Sequence, residues 1–588
     1  MSYKKMDILV HFLVLLQYIV VRGFLMDHIP DGVHTSMGDI QGRIVDFTFD
    51  GVPYKGRKFL GIPYAKPPVG DLRFRKPEML TTFGTASPFM ATKHGSICPQ
   101  LFAELYGLTV SEDCLFVNVY TPYSSDYSRL VPVMVWIHGG GFSYGFSDAI
   151  DGSVLSASSN VVVVTFNYRI GPLGFYSSHD SKASGNYGLW DQHLAFQWVK
   201  NNIAAFGGDP NAITIFGESA GSSSVVYQSM YAGNRGLFQR AIAESGTIAG
   251  WGIDIMHDNY DESIRFAESL GCNGSSSAER VNCLRNLTSD EIVKATRSIQ
   301  LPGLPFPIVN RPWSPIFDHD FVVFPTSDLL KHVEKNPDPK FQFFLDIDFM
   351  IGANYYDGLI YFENFFRELN VSVNDNGEYP ATQETLGYVV SKIAPAFLGE
   401  QPSKTVVDMI TREYTPISNP ANQTLLQEAI INITTDTVLW APSLLTARAH
   451  TFGTGSTYMY RFSVAPSKSF FQAPPSLQTE YSASHSDEID YLFGFPDSWM
   501  SPINQTIADA TPEMIKVAKS VMQMWTNFAK TGYGLFTWHI IAVEHQRKVI
   551  FKRFKLDGCF RKQKQSCLPP YVTGWNQIFF VEEGELIN

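Results

Sequence analysis

From about Asp31 onward, short runs of β-branched and apolar residues alternate with segments whose apolar positions recur at helical spacing. That alternation predicts strands joined by crossover helices in a mostly parallel sheet, an α/β fold with helices on both faces. Val131–Ile137 and Asn160–Tyr168 are nearly continuous in apolar residues, as strands covered on two faces must be. A shorter run, Ala212–Phe216, reads as a third strand, and Phe349–Asn354 and Ser456–Val464 have strand character further on. Between the second and third strands a helix is expected from Asp191 to about Phe206, with Leu194, Trp198, Val199 and Ile203 on one face and Gly207-Gly208 ending it. A late helix starts at Thr511-Pro512, carries Met514, Val517, Ala518, Val521, Trp525 and Phe528 on one face, and stops at Gly532. Thr at the N-cap with Pro in the first turn defines that start, because the hydroxyl accepts a free backbone N–H and proline has none to lose.

Composition narrows the function classes. The chain has 588 residues, 45% of them hydrophobic and 17% charged, which suits a large globular protein. Its 57 acidic and 45 basic residues give a net charge of −12, so a nucleic-acid partner, which needs clustered Lys and Arg, is not expected. No repeat or low-complexity linker divides the chain. One segment departs from the acidic background: from Gly534 to Ser566 it gains Arg547, Lys548, Lys552, Arg553, Lys555, Arg561, Lys562 and Lys564 against Glu544 and Asp557. A basic tail touching lipid headgroups is one reading of it and an inserted segment the other; membrane association is not expected.

The N-terminus places Lys4 and Lys5 before an apolar run from Ile8 to Val21, interrupted by His11 and Gln17. About 14 residues fall short of the ~20 a spanning helix needs, so residues 1–23 read as a signal peptide rather than an anchor. Six cysteines, with Asn-x-Ser/Thr sequons at Asn273, Asn286, Asn370, Asn422, Asn432 and Asn504, fit passage through an oxidising, glycosylating compartment. The expected location is secreted or luminal.

The chemistry concentrates at two glycine motifs. Ala212–Phe216 runs into Gly217-Glu218-Ser219-Ala220-Gly221 and then a helical stretch, Ser222–Tyr227. A strand ending in so tight a turn would hold the Ser219 hydroxyl out over the sheet edge. Upstream, the strand ending at Ile137 leads into His138-Gly139-Gly140-Gly141-Phe142. Unhindered N–H groups of Gly140 and Gly141, with that of Ala220, could bind the oxyanion of a tetrahedral intermediate. A phosphate loop is the competing idea, but no Lys follows the glycines and no G-x-G-x-x-G is present. A serine nucleophile needs a histidine base and an orienting carboxylate, in the chain order Ser, acid, His. Among the 14 histidines, His485, in a loop of small residues, is the best placed, and Asp357 follows the strand end at Asn354. The residues alone leave both choices open.

Further motifs resolve that choice by resemblance. Gly38-Asp39-Ile40-Gln41-Gly42, Gly61-Ile62-Pro63-Tyr64-Ala65-Lys66-Pro67-Pro68, Ser111-Glu112-Asp113-Cys114-Leu115, Gly185-Asn186-Tyr187-Gly188-Leu189-Trp190-Asp191-Gln192, Glu244-Ser245-Gly246 and Asn527-Phe528-Ala529-Lys530-Thr531-Gly532 stand beside the two glycine motifs. Together they resemble the type-B carboxylesterase and cholinesterase family, nearer its general carboxylesterase branch. The resemblance implies an α/β-hydrolase domain over residues 33–532, with Ser219 as nucleophile, His485 as base and Asp357 as acid, and no cofactor or metal. It also implies disulfides Cys98–Cys114 and Cys272–Cys283, each contributing on the order of 3 kcal/mol by loop closure. Cys559 and Cys567 match nothing in the family pattern. A homodimer is implied only by resemblance.

The chain departs from the family in several places. Most members carry Glu where Asp357 stands, one methylene longer. The Cys98–Cys114 loop holds none of the Trp by which cholinesterases bind a quaternary ammonium, and Ile360 stands where an aromatic is usual. These departures point to uncharged esters. After Gly532 the basic segment interrupts the family pattern, which resumes at Leu568-Pro569-Pro570-Tyr571, so residues 533–588 form an atypical C-terminal segment. The expected activity is hydrolysis of carboxylic esters through an acyl-enzyme; the alternative is a catalytically impaired adhesion or binding protein on the same fold.

Overall fold

The computed structural model describes residues 31–84, 87–101, 103, 107–124, 129–248, 260–296, 313–324, 339–398, 402–464, 466, 469, 471–477, 483–495, 510–533 and 550–553. The leader, Asn504, Cys559, Cys567, Ser482, Leu568–Tyr571 and most of the basic segment lie outside them.

Ten strands build the main sheet: β1 (Arg43–Phe49), β2 (Val52–Pro63), β3 (Phe116–Pro122), β4 (Val131–Ile137), β5 (Val162–Phe166), β6 (Gly208–Glu218), β7 (Arg240–Glu244), β8 (Asp348–Asn354), β9 (Thr457–Phe462) and β10 (Ile550–Arg553). Their spatial order is β10-β9-β8-β7-β6-β4-β5-β3-β2-β1. The centre, from β5 to β9, is parallel, while β10 and the three strands at the other edge run antiparallel to their neighbours. This is the α/β-hydrolase architecture. β10 lies within the basic segment and pairs with β9, so four of its residues belong to the sheet edge.

The parallel centre explains the unbroken apolar runs. Every residue of β5 is buried, as are the last five of β4, because helices cover both faces. β4 has the bounds its pattern predicts, while β6 runs from Gly208 rather than Ala212. Gly208 pairs with Val131 and Ile213 with Val133, so the residues between them form an irregularity in the ladder, which hydrophobicity cannot signal. Helix α1 spans Tyr187–Asn202, one turn earlier than expected, and a 3₁₀ turn, Ile203–Phe206, completes it. Its start is fixed by tertiary contacts: the Asn186 side chain accepts from Ile316 N at 2.8 Å and donates to Ile316 O at 2.7 Å.

Three further helices frame the site: α2 (Ala220–Met230), α3 (Asp487–Phe493) and α4 (Pro512–Thr531). In α4, Thr511 Oγ1 accepts from Met514 N and Gly532 closes the helix in the left-handed region, as the sequence predicts. α3 is tied to the sheet by Phe493, whose ring lies 5.2 Å from Trp136 of β4 and 5.9 Å from Phe216 of β6. That packing holds the loop before α3, which carries His485, against β6, the strand that leads into Ser219. Both expected disulfides are formed, Cys98–Cys114 and Cys272–Cys283, with Cα separations of 5.0 and 5.5 Å. Among the described residues no helix is long and apolar enough to cross a membrane.

Candidate active site

Ser219 sits between β6 and α2 with φ 59° and ψ −121°, a left-handed conformation that a serine adopts only when its surroundings impose it. The imposition comes from close approach: a Cβ on Gly221 would overlap the Ile137 carbonyl oxygen at the end of β4. Ser219 N donates to Glu244 O of β7 at 2.8 Å, and Ser223 N donates to Ser219 O at 3.0 Å. Backbone pairing on both sides therefore fixes the turn, and the side chain projects beyond the C-terminal ends of the parallel strands.

The glycine loop after β4 lies against this turn; a Cβ on Gly139 would stand 3.1 Å from Ser219 Cβ. Gly140 has φ +99°, and a Cβ there would strike the Tyr144 carbonyl, so no other residue fits. Gly141 is also left-handed, and Ala220 is the first residue of α2, directly after Ser219. Tyr144 N and Ser143 N both donate to Gly140 O at 3.1 Å, which closes the loop on itself. Its far end is gripped by Gln100, whose amide accepts from Gly145 N at 2.9 Å and donates to Gly145 O at 3.0 Å. Gln100 belongs to the loop closed by Cys98–Cys114, which gives that disulfide a structural link to the site.

His138 begins the glycine loop and is buried. Burial pulls its imidazole down to about 4, against the pull of the Gly139 carbonyl 2.9 Å from Nδ1, so the ring is neutral and donates there. It stacks on Tyr168 with centroids 4.3 Å apart, and the Tyr168 hydroxyl donates to His138 O at 2.8 Å.

The structure brings His485 and Asp357 together: Nδ1 lies 2.6 Å from Asp357 Oδ1, with both side chains buried. Asp357 Oδ2 accepts from Asn354 N at 2.7 Å. The other ring nitrogen, Nε2, lies 3.0 Å from Glu218 Oε1, which also accepts from Ser486 Oγ at 2.7 Å. Burial opposes charge on the ring, but Glu218 and Asp357 outweigh it and push the His485 imidazole up to about 9. Glu218 itself is raised by burial, against the attraction of His485. Two more carboxyls lie behind: Glu488 of α3 and Glu244 of β7 are raised well above the usual carboxyl range, by burial first and then by neighbouring carboxylates.

The roles of Glu218, Glu488, Asn354 and Gln100 do not stand out in the sequence. Glu218 is conspicuous only as a charge beside Ser219. Asn354 and Glu488 each lie three residues from a member of the Asp357–His485 pair, a proximity that gains meaning only once β8 and the His485 loop are side by side.

Comparison with known proteins supplies the family. A model of the "Carboxylesterase family" matches residues 30–555. The chain belongs to the carboxylesterase family. Carboxylesterase 1E of Mus musculus is 32% identical over 575 residues, covering 93% of this chain and 94% of its own length. Liver carboxylesterase of Sus scrofa is 32% identical over 535 residues, 86% of this chain and 85% of its own length. Bile salt-activated lipase of Homo sapiens is 33% identical over 487 residues, which is 81% of this chain and 59% of the lipase. This carboxylesterase is accordingly a serine carboxylic-ester hydrolase.

Proposed function

We propose that Ser219, His485 and Asp357 form the catalytic triad of a carboxylesterase acting on uncharged carboxylic esters. The observation that carries this reading is the His485 Nδ1 to Asp357 Oδ1 contact of 2.6 Å, formed beside a serine held in a left-handed strand-to-helix turn. Ser219 Oγ attacks the ester carbonyl carbon while His485 Nε2 takes its proton, and Asp357 stabilises the imidazolium from the other side of the ring. The N–H groups of Gly140, Gly141 and Ala220 receive the negative charge that develops on the carbonyl oxygen. Collapse expels the alcohol, which leaves with the proton from His485, and forms the acyl-enzyme. Water, deprotonated by the same nitrogen, then releases the acid and regenerates Ser219.

For this to run, Nε2 must exchange its Glu218 contact for the Ser219 hydroxyl, so the carboxylate and the serine compete for one nitrogen. We propose in addition that residues 1–23 are a leader removed from a secreted or luminal protein, that residues 33–532 form the catalytic domain, and that residues 533–588 are an atypical C-terminal segment. The two disulfides support an oxidising compartment.

The test is hydrolysis of a short-chain chromogenic ester by the purified protein, with the early-time burst recorded beside Ser219→Ala. A burst and turnover that both depend on Ser219 are expected. Equal turnover by Ser219→Ala, or none from folded wild-type protein, overturns the reading.

A further inference from the structure

Two separate segments must meet for the Asp357–His485 contact to exist: the turn after β8 and the loop before α3, 128 residues apart in the chain. Their backbones touch along a short bridge, with Tyr356 opposite Ser484 and Tyr356 N donating to Ala483 O at 2.9 Å. The Asn354 side chain also spans the junction. Asn354, the last residue of β8, is fully buried, and its Nδ2 donates both to Ser484 O at 2.6 Å and to Glu488 Oε2. Its own backbone N–H meanwhile donates to Asp357 Oδ2 at 2.7 Å. A single residue therefore holds the acid with its main chain and, with its amide, the residue before the histidine and the first turn of the helix after it.

The side of the junction that carries His485 is otherwise braced from within. Asp487 accepts from Ser484 N at 2.7 Å and from Ser469 Oγ at 2.7 Å, and the Ser469 and Ser484 hydroxyls lie 2.9 Å apart. These bonds make the His485 loop a rigid unit, but none of them reaches the acid. Asn354 and the Tyr356 backbone cross from one side of the junction to the other.

We propose that Asn354 is a positioning residue of the esterase reaction, a clasp whose two amide hydrogen bonds set the register between the Asp357 turn and the His485 loop. The proposal rests on the triad reading above. The chemistry of the clasp is specific. The Ser484 carbonyl needs a donor, and a carboxylate in place of the amide would have none to offer. An apolar side chain of the same shape would keep the backbone bond to Asp357 Oδ2 while losing both cross-links. Misplacement of a reacting group by a fraction of an ångström to 1 Å costs rate without costing substrate affinity, because binding precedes the step that needs the imidazole aligned.

The experiment compares Asn354→Leu and Asn354→Ser with wild type and with Ser219→Ala and His485→Ala, on a short-chain chromogenic ester, with a pH–rate profile for each. His485 is faced by Glu218, Asp357 and Glu488, so the profile reads how firmly Asp357 grips the ring. For Asn354→Leu, kcat is expected to fall roughly 10–100-fold with KM within about threefold, and the acid limb to move to lower pH as the Asp357 contact loosens. Asn354→Ser, which keeps one hydroxyl donor, is expected to lie between Leu and wild type. A folded Asn354→Leu protein with kcat within twofold of wild type and an unmoved acid limb overturns the clasp; should that variant not fold, the Ser variant decides by the same two readouts. Undiminished turnover by Ser219→Ala or His485→Ala would instead remove the triad reading, which separates the two failures.

Discussion

Replacing Glu218 by Gln isolates one electrostatic contact in the site. The Glu218 Oε1 to His485 Nε2 distance is 3.0 Å, and at an effective dielectric near 20 two unit charges so placed attract by about 5 kcal/mol. Against burial, which opposes charge on the ring, Glu218 and Asp357 together lift the imidazole from 6.5 to about 9, a net preference of roughly 3 kcal/mol for the imidazolium. Gln still accepts the Ser486 hydroxyl and fills the same volume, so the change removes charge and little else. Part of the Glu218 attraction offsets the cost of burying the carboxylate itself, so the imidazole is expected to fall by one to two pH units rather than by the full Coulomb figure.

The sign follows from the role. A general base must be neutral, so a raised imidazole suppresses activity below its own midpoint, and at pH 7 a group titrating near 9 is neutral in roughly one molecule in a hundred. Removing Glu218 should move the acid limb of kcat/KM toward neutrality and raise the rate at pH 7 by about tenfold or more, with little gain above pH 9. The assay is kcat/KM for a chromogenic ester from pH 5.5 to 10, at constant ionic strength. An acid limb that stays in place, or a loss at every pH, would refute the argument and assign Glu218 a role in binding or transition-state stabilisation instead.

Other perturbations probe separate parts of the structure. Asp357→Asn keeps the shape of the side chain but removes the charge that stabilises the imidazolium, so kcat should fall by at least ~10³-fold with KM little changed, measured on the same ester. Asp357→Glu should also lose activity and about 1–3 kcal/mol of stability by denaturant unfolding, because the added methylene enters a fully buried site. Glu244 holds its proton in the folded state well above the usual carboxyl range, so its contribution to stability is present below pH ~4.5 and is lost as pH rises toward the folded value. Glu244→Gln should therefore raise Tm more at pH 8 than at pH 5; an equal change at both would show that the carboxyl titrates normally. Removing Cys98–Cys114 as a double Ser variant should cost about 3 kcal/mol and also lower kcat, since Gln100 in that loop grips the glycine loop at Gly145. Loss of stability with unchanged kcat at low temperature would sever that link.

The sequence was most informative where a local rule and the global fold agree. β4 carries an unbroken apolar run because helices cover both its faces, and α4 announces its start with Thr511-Pro512 and its end with Gly532, each making the hydrogen bond or adopting the backbone conformation that its residue type favours. The glycine motifs were equally readable, since Gly140 and Gly221 stand where neighbouring carbonyls leave no space for a side chain. What escaped was fixed by distant partners. The first turn of α1 depends on Asn186 reaching Ile316, 130 residues away, and β6 begins at Gly208 only through a ladder irregularity that separates it from Ile213. In the site, the grip of Gln100 on Gly145 and the approach of Glu218 to His485 arise from segments that only folding brings together. No spacing rule encodes them.

The substitution of Asp for the expected Glu at the acid position shows how such long-range contacts bear on chemistry. A carboxyl one methylene shorter reaches the imidazole only if its backbone stands closer. Here the 3₁₀ turn Asp357–Tyr361 is drawn tightly onto its neighbours: Gly358 N donates to Thr435 Oγ1 at 2.8 Å, and a Cβ on Gly358 would overlap the Thr435 backbone N. The Asp357–His485 distance of 2.6 Å is that of a charge-assisted hydrogen bond, so the shorter side chain reaches the imidazole. Scored by residue identity alone, position 357 would count as a departure from the family pattern, whereas the carboxyl-to-imidazole contact is made.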